Sequence, residues 1–512
     1  MAPPPTPLEW ELPKLRYSLS FEDDKKYVDD VGLDTDFFDV KFYPYSPAGS
    51  NPVFAAVSKR HTKDKDANPC EVIQIIRDDD LGALNCSCTW TKDPETDRAL
   101  LCVAGRDSKV KVYNIRDGTP VTSFVGHGGE INDLATSPAN PCLIASASDD
   151  TTVRIWSLDP VHRRQPCVCL LAGEGHSWNL LSVAFHDSGR YVLSAGHDQV
   201  INLWTLPDFP QEHIETPFVV HYPHFSTSEI HTGLIDCVSF FGDLILSRAC
   251  HEDVIVLWCI EGFSSLDDAP SPEQAPSNHD TSKLTRSSFS AAGTVSTPAG
   301  SNGPTAAAAT AAPSSLSSTT HPQYTRLLQL HTPGCGSQFF TRFGLFNVAG
   351  HHPTLAFCNT YAKIFFWDFA CFPAYQEFIA AADRVEASDK DSVFSVPVGS
   401  AANPNTNTNT NPVPNTNTPD PDTTHAAPAA KVEHYNAETL EDWHNKYDTS
   451  DPHAQLKAHK TEGTSKALST VGRQVAWSPE GDWCVVVGSN SQVLILQRWA
   501  NGEMAATGET GE

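Results

Sequence analysis

Short apolar runs of strand length recur along most of this chain and alternate with polar turn residues. Three of the clearest runs, 153–156, 201–204 and 254–258, are rich in β-branched residues, and each ends in a tryptophan. Runs of four to eight apolar residues between turn signals predict β-strands rather than helices. The pattern therefore predicts an all-β fold built from many short strands.

The strand runs group into seven consecutive units of similar size. Unit one contains the runs 37–42 and 53–57, and unit two contains 88–90, 100–105 and 110–113. Units three, four and five contain the runs that end in tryptophan, while unit six spans 339–370 and unit seven spans 474–496. Because unit seven lacks an obvious last strand, we expect an N-terminal strand to pair with it and close a ring without exposed sheet edges.

A histidine, a carboxylate and a tryptophan recur at nearly fixed distances in units three, four and five. The separation from histidine to tryptophan along the chain is almost the same in all three units. The residues are His127, Asp150 and Trp156; His176, Asp198 and Trp204; and His231, Glu252 and Trp258. This spacing is typical of the WD40 repeat.

In a WD40 blade, these three side chains and a hydroxyl group form one hydrogen-bonded chain, which satisfies all of the buried polar groups. Ser146 or Ser148 in unit three and Ser194 in unit four are candidates for the hydroxyl. We therefore predict a seven-bladed WD40 β-propeller. The repeated residues are interpreted as structural staples of the blades rather than metal ligands or general bases.

Two long segments interrupt the strand pattern. Residues 263–322 are rich in serine, alanine, threonine and proline, and residues 386–465 include an Asn-Thr repeat. Neither has the apolar content that offsets the entropy of ordering. We therefore predict a propeller over 17–500 with disordered, low-complexity insertions at 263–322 and 386–465. Flexible tails are expected over 1–16 and 501–512.

The chain has a formal net charge of −27, from 35 basic and 62 acidic residues. Nucleic-acid binding depends on clustered lysine and arginine, so this charge argues against direct nucleic-acid contact and suits a basic protein partner. No run approaches the ~20 apolar residues of a membrane helix, and no secretory signal is evident. We expect an intracellular protein without membrane association. The 14 cysteines lack metal-ligand spacing, so no metal or other cofactor is expected.

The sequence around unit five is more specific than a generic WD40 repeat. It contains HYPHFSTSEIH at 221–231, DCV at 236–238 and GDLILS at 242–247. Together with KIFFWD at 363–368, these motifs resemble the embryonic ectoderm development (EED) family, also called extra sex combs, the WD40 subunits of Polycomb repressive complex 2. The resemblance extends over 17–499 apart from the insertions. The inserted tracts indicate a divergent, fungal member.

The resemblance implies a non-catalytic scaffold in the nucleus. Proteins of this family bind histone H3 trimethylated at lysine 27 in an aromatic cage on one face of the propeller. They hold a helix of Enhancer-of-zeste, the SET-domain methyltransferase, on the other face, and Suppressor of zeste 12 is a further partner. By resemblance, this chain reads the methyl mark, stimulates methylation of H3 lysine 27 and supports gene repression.

The resemblance also places the aromatic cage on particular positions of this chain. The family's first cage aromatic falls on Phe38, and its Trp-Tyr pair falls on Phe339 and Phe340, followed by Arg342. The remaining cage tyrosine falls on Cys86, so one wall departs from the family pattern. Three phenylalanine rings can still attract a trimethylammonium group through cation–π interactions.

An alternative reading makes these phenylalanines ordinary core residues of strands, where most buried phenylalanines lie. On a strand, the neighbours Phe339 and Phe340 would point to opposite faces, one buried and one exposed. Trp178, on a loop of unit four, is a further candidate contact for a ligand. It is less favoured, because unit four lies across the predicted ring.

Two other functions stay open. WD40 substrate receptors of ubiquitin ligases often carry Trp-Asp-x-Arg at a blade end, whereas residues 367–370 read Trp-Asp-Phe-Ala. An enzyme is the other alternative. The adjacent His351 and His352 lie in a predicted turn, and no nucleophile–base pair accompanies them.

Overall fold

The computed structural model describes residues 11–20, 36–58, 70–76, 78, 80, 82–276, 284–289, 323–388, 396–397, 432–433, 436–463 and 470–498. Most of this described chain forms β-sheets in which consecutive strands pair antiparallel. The strand groups correspond to the units defined from the sequence. The prediction of an all-β propeller is therefore confirmed in its architecture, with two helices as additions.

Among the described residues, six units form sheets of four or five strands. Unit two consists of Asn85–Lys92, Ala99–Gly105, Lys109–Asn114 and Pro120–Val125. Unit three consists of Ile131–Thr136, Leu143–Ser148, Val153–Ser157, Cys167–Leu171 and Phe218–Val220. Unit four consists of Leu180–Phe185, Tyr191–Gly196, Ile201–Thr205, Phe225–Thr227 and Thr285–Ser287.

The remaining three of these sheets complete the propeller. Unit five consists of Ile235–Phe241, Leu244–Ala249, Val254–Ile260, Tyr324–His331 and Gln455–Leu456. Unit six consists of Gly344–Phe346, Thr354–Cys358, Lys363–Asp368 and Lys460–Gly463. Unit seven consists of Gly472–Trp477, Trp483–Gly488, Gln492–Gln497 and Lys14–Ser20.

Unit one differs from the seven complete blades that the sequence predicts. Its described strands, Phe37–Phe42 and Phe54–Ser58, form only a two-stranded sheet. The sheet nevertheless lies between its neighbours, because Phe37 and Val40 pack on unit seven and the Trp90 indole N–H of unit two donates to the Lys41 carbonyl oxygen at 2.8 Å.

The apolar core lies between successive sheets rather than at the centre of the ring. Leu193 and Leu203 of unit four pack with Val256 and Trp258 of unit five, and all four are fully buried. The apolar residues of each strand therefore fill the space between two sheets. At about 25 cal/mol per Å² of buried apolar surface, this packing is the main stabilising contribution.

A series of polar contacts joins the first strands of units one to five and connects unit five to the segment before unit six. In each contact, a backbone N–H of one unit donates to a side-chain oxygen of the preceding unit. The pairs are Cys88 N to Asp39 Oδ2 at 2.9 Å, Leu134 N to Ser87 Oγ at 3.1 Å, Val183 N to Asp133 Oδ2 at 2.9 Å, Val238 N to Ser182 Oγ at 3.1 Å and Thr341 N to Asp236 Oδ2 at 3.2 Å. These bonds fix the register of units one to six around the channel.

The N-terminal strand closes the ring, as the sequence predicts. Lys14–Ser20 pairs antiparallel with Gln492–Gln497 of unit seven. The predicted flexible tail over 1–16 is too long, because ordered structure begins before residue 17. The Lys460 ammonium group donates to the carbonyl oxygens of Leu12 and Pro13 at 3.0 and 2.8 Å, which fixes the chain ahead of the strand.

The predicted insertions are also partly ordered. Thr285–Ser287, inside 263–322, adds a strand to unit four, and Lys460–Gly463, inside 386–465, is the outer strand of unit six. Of the two helices, α1 (Cys371–Ser388) leads into the second insertion and α2 (Ala437–Tyr447) lies within it. Their contact is aromatic, because Tyr375, Phe378, Trp443 and Tyr447 form one cluster. Most of both insertions and the predicted tail 501–512 lie outside the described residues.

A short antiparallel pair, Val396–Pro397 with Val432–Glu433, is described within the second insertion. Two single 3₁₀ turns, Pro160–His162 and Pro272–Gln274, lie in connections between strands. Neither α1 nor α2 in the described part of the chain is long and apolar enough to cross a membrane.

Candidate functional site

The repeated histidine, carboxylate and tryptophan of units three to five are joined by hydrogen bonds through a serine. In unit four, His176 Nδ1 lies 2.9 Å from Asp198 Oδ2, and His176 Nε2 lies 2.7 Å from Ser194 Oγ. The Trp204 indole N–H donates to the same hydroxyl at 2.7 Å. The tryptophan, serine and histidine side chains are buried, so the network spans the blade interior.

The same geometry recurs in the two neighbouring units. In unit three the hydroxyl comes from Ser146, whereas Ser148 donates instead to the Gly129 carbonyl oxygen. In unit five it comes from Ser247, which sequence reasoning missed, although it lies in the corresponding strand. The remaining pairs are His127 Nδ1 to Asp150 Oδ2 at 2.8 Å and His231 Nδ1 to Glu252 Oε2 at 2.5 Å. All these groups satisfy one another, which leaves them little capacity for chemistry on a ligand.

Unit six has only half of this network. His352 Nδ1 lies 2.8 Å from Asp368 Oδ2, so this histidine is part of the blade and not a free residue of a turn. Phe357 stands where the other units have serine, because it pairs with Phe365 two residues before Trp367. Within the described residues, the Trp367 indole N–H accordingly has no acceptor.

The carboxylates of the staples remain ionised well below neutral pH. Burial raises the pKa of Glu252, but the hydrogen bond and positive potential of His231 and the Thr232 N–H outweigh it and lower the pKa to about 2. Burial likewise raises the pKa of Asp198, but His176 and two backbone N–H groups outweigh it and lower the pKa overall. Burial dominates at His127 and lowers its pKa, so this imidazole is held neutral.

Replacing Glu252 with glutamine should therefore destabilise the protein in a pH-dependent way. Because the pKa of Glu252 falls from its ordinary 4.5 to about 2 on folding, its contribution is fully present above pH 4.5 and is lost as the pH falls through about 2. Urea unfolding of wild type and Glu252→Gln at several pH values would measure it. The difference between the two proteins should shrink on acidification, and a difference independent of pH would contradict the assignment.

The four predicted cage positions lie in or just before the first strands of units one, two and six, and Arg342 lines the central channel. A cavity of about 360 Å³ occupies the ring. Its lining comes from units one and three to seven, and includes Lys41, Asp133, Ser182, Cys237 and Arg342. This spread of units identifies the cavity as the channel itself. The candidate cage residues lie near the end of the channel at which the first strands begin.

Arg473 connects Phe38 with the Phe339–Phe340 pair. Its guanidinium carbon lies 5.7 Å from the centre of the Phe38 ring, and its Nη1 donates to the Phe339 carbonyl oxygen at 2.9 Å. A second nitrogen binds Asp36 Oδ2 at 3.2 Å. Sequence reasoning missed this arginine, because it lies at the start of another unit. The contacts bring unit one and the connection before unit six together.

Phe339 and Phe340 do not belong to a strand. They precede Gly344–Phe346, and Phe340 has a positive φ of 55°. The rule that neighbours on a strand point to opposite faces therefore does not apply, and the two ring centres are only 5.1 Å apart. Phe339 keeps 41% of its surface exposed and Phe340 is half-buried. Both rings lie at the surface of the channel mouth instead of in the core between sheets.

Arg342 is a support of the site and not an exposed ligand contact. It is buried, and it donates to Asp133 Oδ1 at 2.7 Å and to the carbonyl oxygens of Asn132 and Leu181 at 3.1 and 2.7 Å. Burial lowers the pKa of Arg342, but the nearby Asp133 and Asp39 carboxylates outweigh it and raise the pKa further. Its guanidinium carbon lies 5.6 Å from the Phe340 ring centre, so it fixes that ring from within.

Cys86 places a small neutral thiol at the position where the family has a cage tyrosine. Its thiol donates to the Ile131 carbonyl oxygen at 3.2 Å, and burial raises its pKa to about 12. A neutral thiol supplies neither a ring face nor a charge. Within the described residues, no group of three or more histidine, cysteine or acidic side chains could hold a metal ion.

A ring of β-sheets with repeated His–Ser–Trp networks defines the class as a WD40-repeat propeller. The family described as "WD domain, G-beta repeat" matches residues 118–157 and 167–205. Over 582 aligned positions the chain is 47% identical to the Polycomb protein EED of the fungus Chaetomium thermophilum, which covers 98% of this chain and 99% of that protein. The chain belongs to the Polycomb EED family, as its motifs indicate.

A more distant relative and two solved structures are consistent with this family assignment. The Polycomb protein esc of Drosophila melanogaster is 31% identical over 230 residues, or 42% of this chain and 52% of that protein. The apo ctPRC2 in an autoinhibited state matches with a TM-score of 0.80 and 50% identity over 97% of this chain and 100% of that chain. A structure of ctPRC2 in complex with H3K27me3 and H3K27M matches with a TM-score of 0.79 and 50% identity over 97% and 99%.

Proposed function

We propose that this chain is the non-catalytic WD40 scaffold of a Polycomb repressive complex 2 and the reader of its methyl mark. The observation that carries the proposal is the match over nearly the full length of both chains to a ctPRC2 structure in complex with H3K27me3. In this proposal the two-stranded unit one is the seventh blade of the propeller. The protein acts in the nucleus on chromatin, where it supports methylation of H3 lysine 27 and gene repression.

Reading depends on the rings of Phe38, Phe339 and Phe340. A trimethylammonium group has no N–H to donate, so its recognition requires ring faces and desolvation. The guanidinium carbons of Arg473 and Arg342 lie 5.7 and 5.6 Å from the Phe38 and Phe340 ring centres, which orients those rings at the mouth of the channel. With Cys86 in place of a fourth ring, we expect binding weaker by on the order of 1 kcal/mol than for a four-ring cage.

The net charge of −27 suits a basic histone tail. The proposed partners in the complex are an Enhancer-of-zeste-like SET methyltransferase on the opposite face and a Suppressor of zeste 12-like subunit. Nothing in the described part of the structure favours the ubiquitin-ligase alternative. Asp368 of the Trp-Asp pair is buried and binds His352 and the Ala370 N–H, so this blade end does not present its carboxylate to an adaptor.

Binding of H3 peptides centred on lysine 27, trimethylated and unmodified, tests the reading step. Wild type should prefer the trimethylated peptide, and Phe38→Ala and Phe340→Ala should each reduce that preference at least about fivefold, because each removes a cation–π contact. Isothermal titration measures both affinities. Phe218→Ala is the matched control, since this ring is 40% exposed on the outer edge of unit three. An equal affinity of wild type for both peptides would remove the reader function and leave the scaffold.

A further inference from the structure

We propose that Trp178 and His197 form a platform for an arginine side chain of the bound peptide, beside the methyl-lysine site. The inference rests on the proposed function, because it extends the same surface. The Trp178 and His197 ring centres are 6.4 Å apart with planes 29° from parallel. The His197 ring lies 6.4 Å from the Phe339 ring, which in turn lies 5.1 Å from the Phe340 ring. Successive ring contacts therefore link Trp178 of unit four to Phe340, one of the candidate cage residues.

Trp178 was less favoured as a ligand contact because unit four lies across the propeller, but the structure removes this objection. Unit four lies across the ring from unit one, but the segment that carries Phe339 reaches over to it. Trp178 follows closely after the staple His176 along the chain, and His197 directly precedes the staple Asp198. The same rigid network therefore holds both rings of the platform in place.

The exposure of Trp178 is the second observation. It keeps 61% of its surface in water, whereas the staple tryptophans Trp156, Trp204 and Trp258 are at most 1% exposed. An exposed indole stabilises the fold little. Tryptophan is the ring that attracts cations best and is enriched at binding hot spots. Its place in a series of ring contacts that reaches the candidate cage residues indicates a binding role.

The spacing of the rings suits an extended peptide. Each step from Trp178 to His197 and from His197 to Phe339 measures 6.4 Å between ring centres. Because an extended strand rises by roughly half of that distance per residue, one ring step corresponds to about two residues of peptide. A peptide whose trimethyl-lysine lies against Phe339 and Phe340 would therefore bring a side chain up to about four residues away over the platform. The platform is thus within reach of residues near the modified lysine.

Charge selects arginine as the occupant. The half-buried carboxylate of Asp149 lies in the neighbouring unit three, where the Asn132 amide donates both to Asp149 Oδ1 at 2.6 Å and to the Leu180 carbonyl oxygen at 2.7 Å. Leu180 is two residues after Trp178, and the whole chain carries a net charge of −27. A planar guanidinium group stacks on aromatic faces better than an ammonium group does.

An arginine scan in trimethyl-lysine peptides tests the platform. Peptides with one arginine placed one to five residues from the trimethyl-lysine, on either side, are titrated against wild type and Trp178→Ala. We expect the best positions, up to about four residues away on one side, to bind wild type about three- to fivefold more tightly than their citrulline counterparts. Trp178→Ala should lose this gain, and His197→Ala should reduce it.

The controls separate the platform from the cage. Trp178→Ala should leave the ratio of affinities for trimethylated and unmodified peptide unchanged, and Phe218→Ala should change neither quantity. If arginine position has no effect while the preference for trimethyl-lysine persists, the platform is overturned and the reader function stands. If Trp178→Ala lowers the trimethyl preference itself, Trp178 is a cage wall and the platform is likewise overturned. If the arginine gain persists without any trimethyl preference, the platform stands and the reader function fails.

Discussion

Replacing Asp133 with alanine should lower the free energy of unfolding by about 3–5 kcal/mol, because it leaves a buried arginine without its carboxylate. Asp133 Oδ1 accepts from Arg342 at 2.7 Å, and Asp133 Oδ2 accepts from the Val183 N–H of the next unit at 2.9 Å. Asp133 and Arg342 are 5% and 6% exposed. The substitution therefore breaks both an ion pair across the channel and a bond between units. Urea unfolding followed by tryptophan fluorescence would measure the change.

A matched control is available near the start of the same strand. Glu130 makes an exposed ion pair with Arg106 at 3.2 Å, and Glu130→Ala should change the free energy of unfolding by less than about 0.5 kcal/mol. The double variant Asp133→Leu with Arg342→Met should recover much of the loss, because it removes both buried charges. An Asp133→Ala variant as stable as Glu130→Ala would show that the channel pair contributes little.

Trp204→Ala should destabilise the protein by about 3–5 kcal/mol, the usual loss for a buried tryptophan. The indole of Trp204 is 1% exposed, packs in the core between units three and four, and donates to Ser194. Its removal leaves a large cavity and takes one donor from a hydroxyl that His176 also binds, so a buried polar group loses a partner as well. The shift of the thermal and urea midpoints would measure the effect.

Unit four supplies the control for this prediction, because it contains a second tryptophan. Trp178 is exposed, and Trp178→Ala should change stability by less than about 0.5 kcal/mol. Two tryptophan-to-alanine changes in one blade should thus separate folding from binding. A similar loss from both variants would contradict the assignment of Trp178 to the binding surface.

The parts of the fold that follow a local period could be predicted from the sequence. The staple residues recur at almost constant spacing, and their strands are apolar and β-branched, so units three to five were evident. The outer strand Lys460–Gly463 was not, because its sequence, Lys-Thr-Glu-Gly, has low strand propensity. It is a strand because the exposed edge of Lys363–Asp368 offers backbone partners. The secondary structure of such segments is determined by tertiary pairing and not by their own sequence.

The candidate site could also be predicted from the sequence only in part. The cage positions came from resemblance, while the contacts that organise them join residues far apart in sequence. Arg342 and Asp133 are 209 residues apart, yet they meet across the channel. Arg473 and the Trp178–His197 pair reach Phe339 in the same way. Such contacts exist only after the ring has closed, and no local pattern in the chain encodes them. A polar residue within an apolar first strand, such as Asp39 or Ser182, was the available signal for the channel.

The first and last strands of the described propeller pair with each other, so the ring can close only after both have been synthesised. Arg16, in the strand that closes the ring, donates to Gln497, a residue 481 positions later. At about 5–20 residues per second, a ribosome needs roughly half a minute to a minute and a half to make the intervening chain. During that interval Lys14–Ser20 has no partner strand, although units two to six can already assemble in order. The strand Lys14–Ser20 is thus the first part of the described propeller to be made and among the last to gain its partner strand.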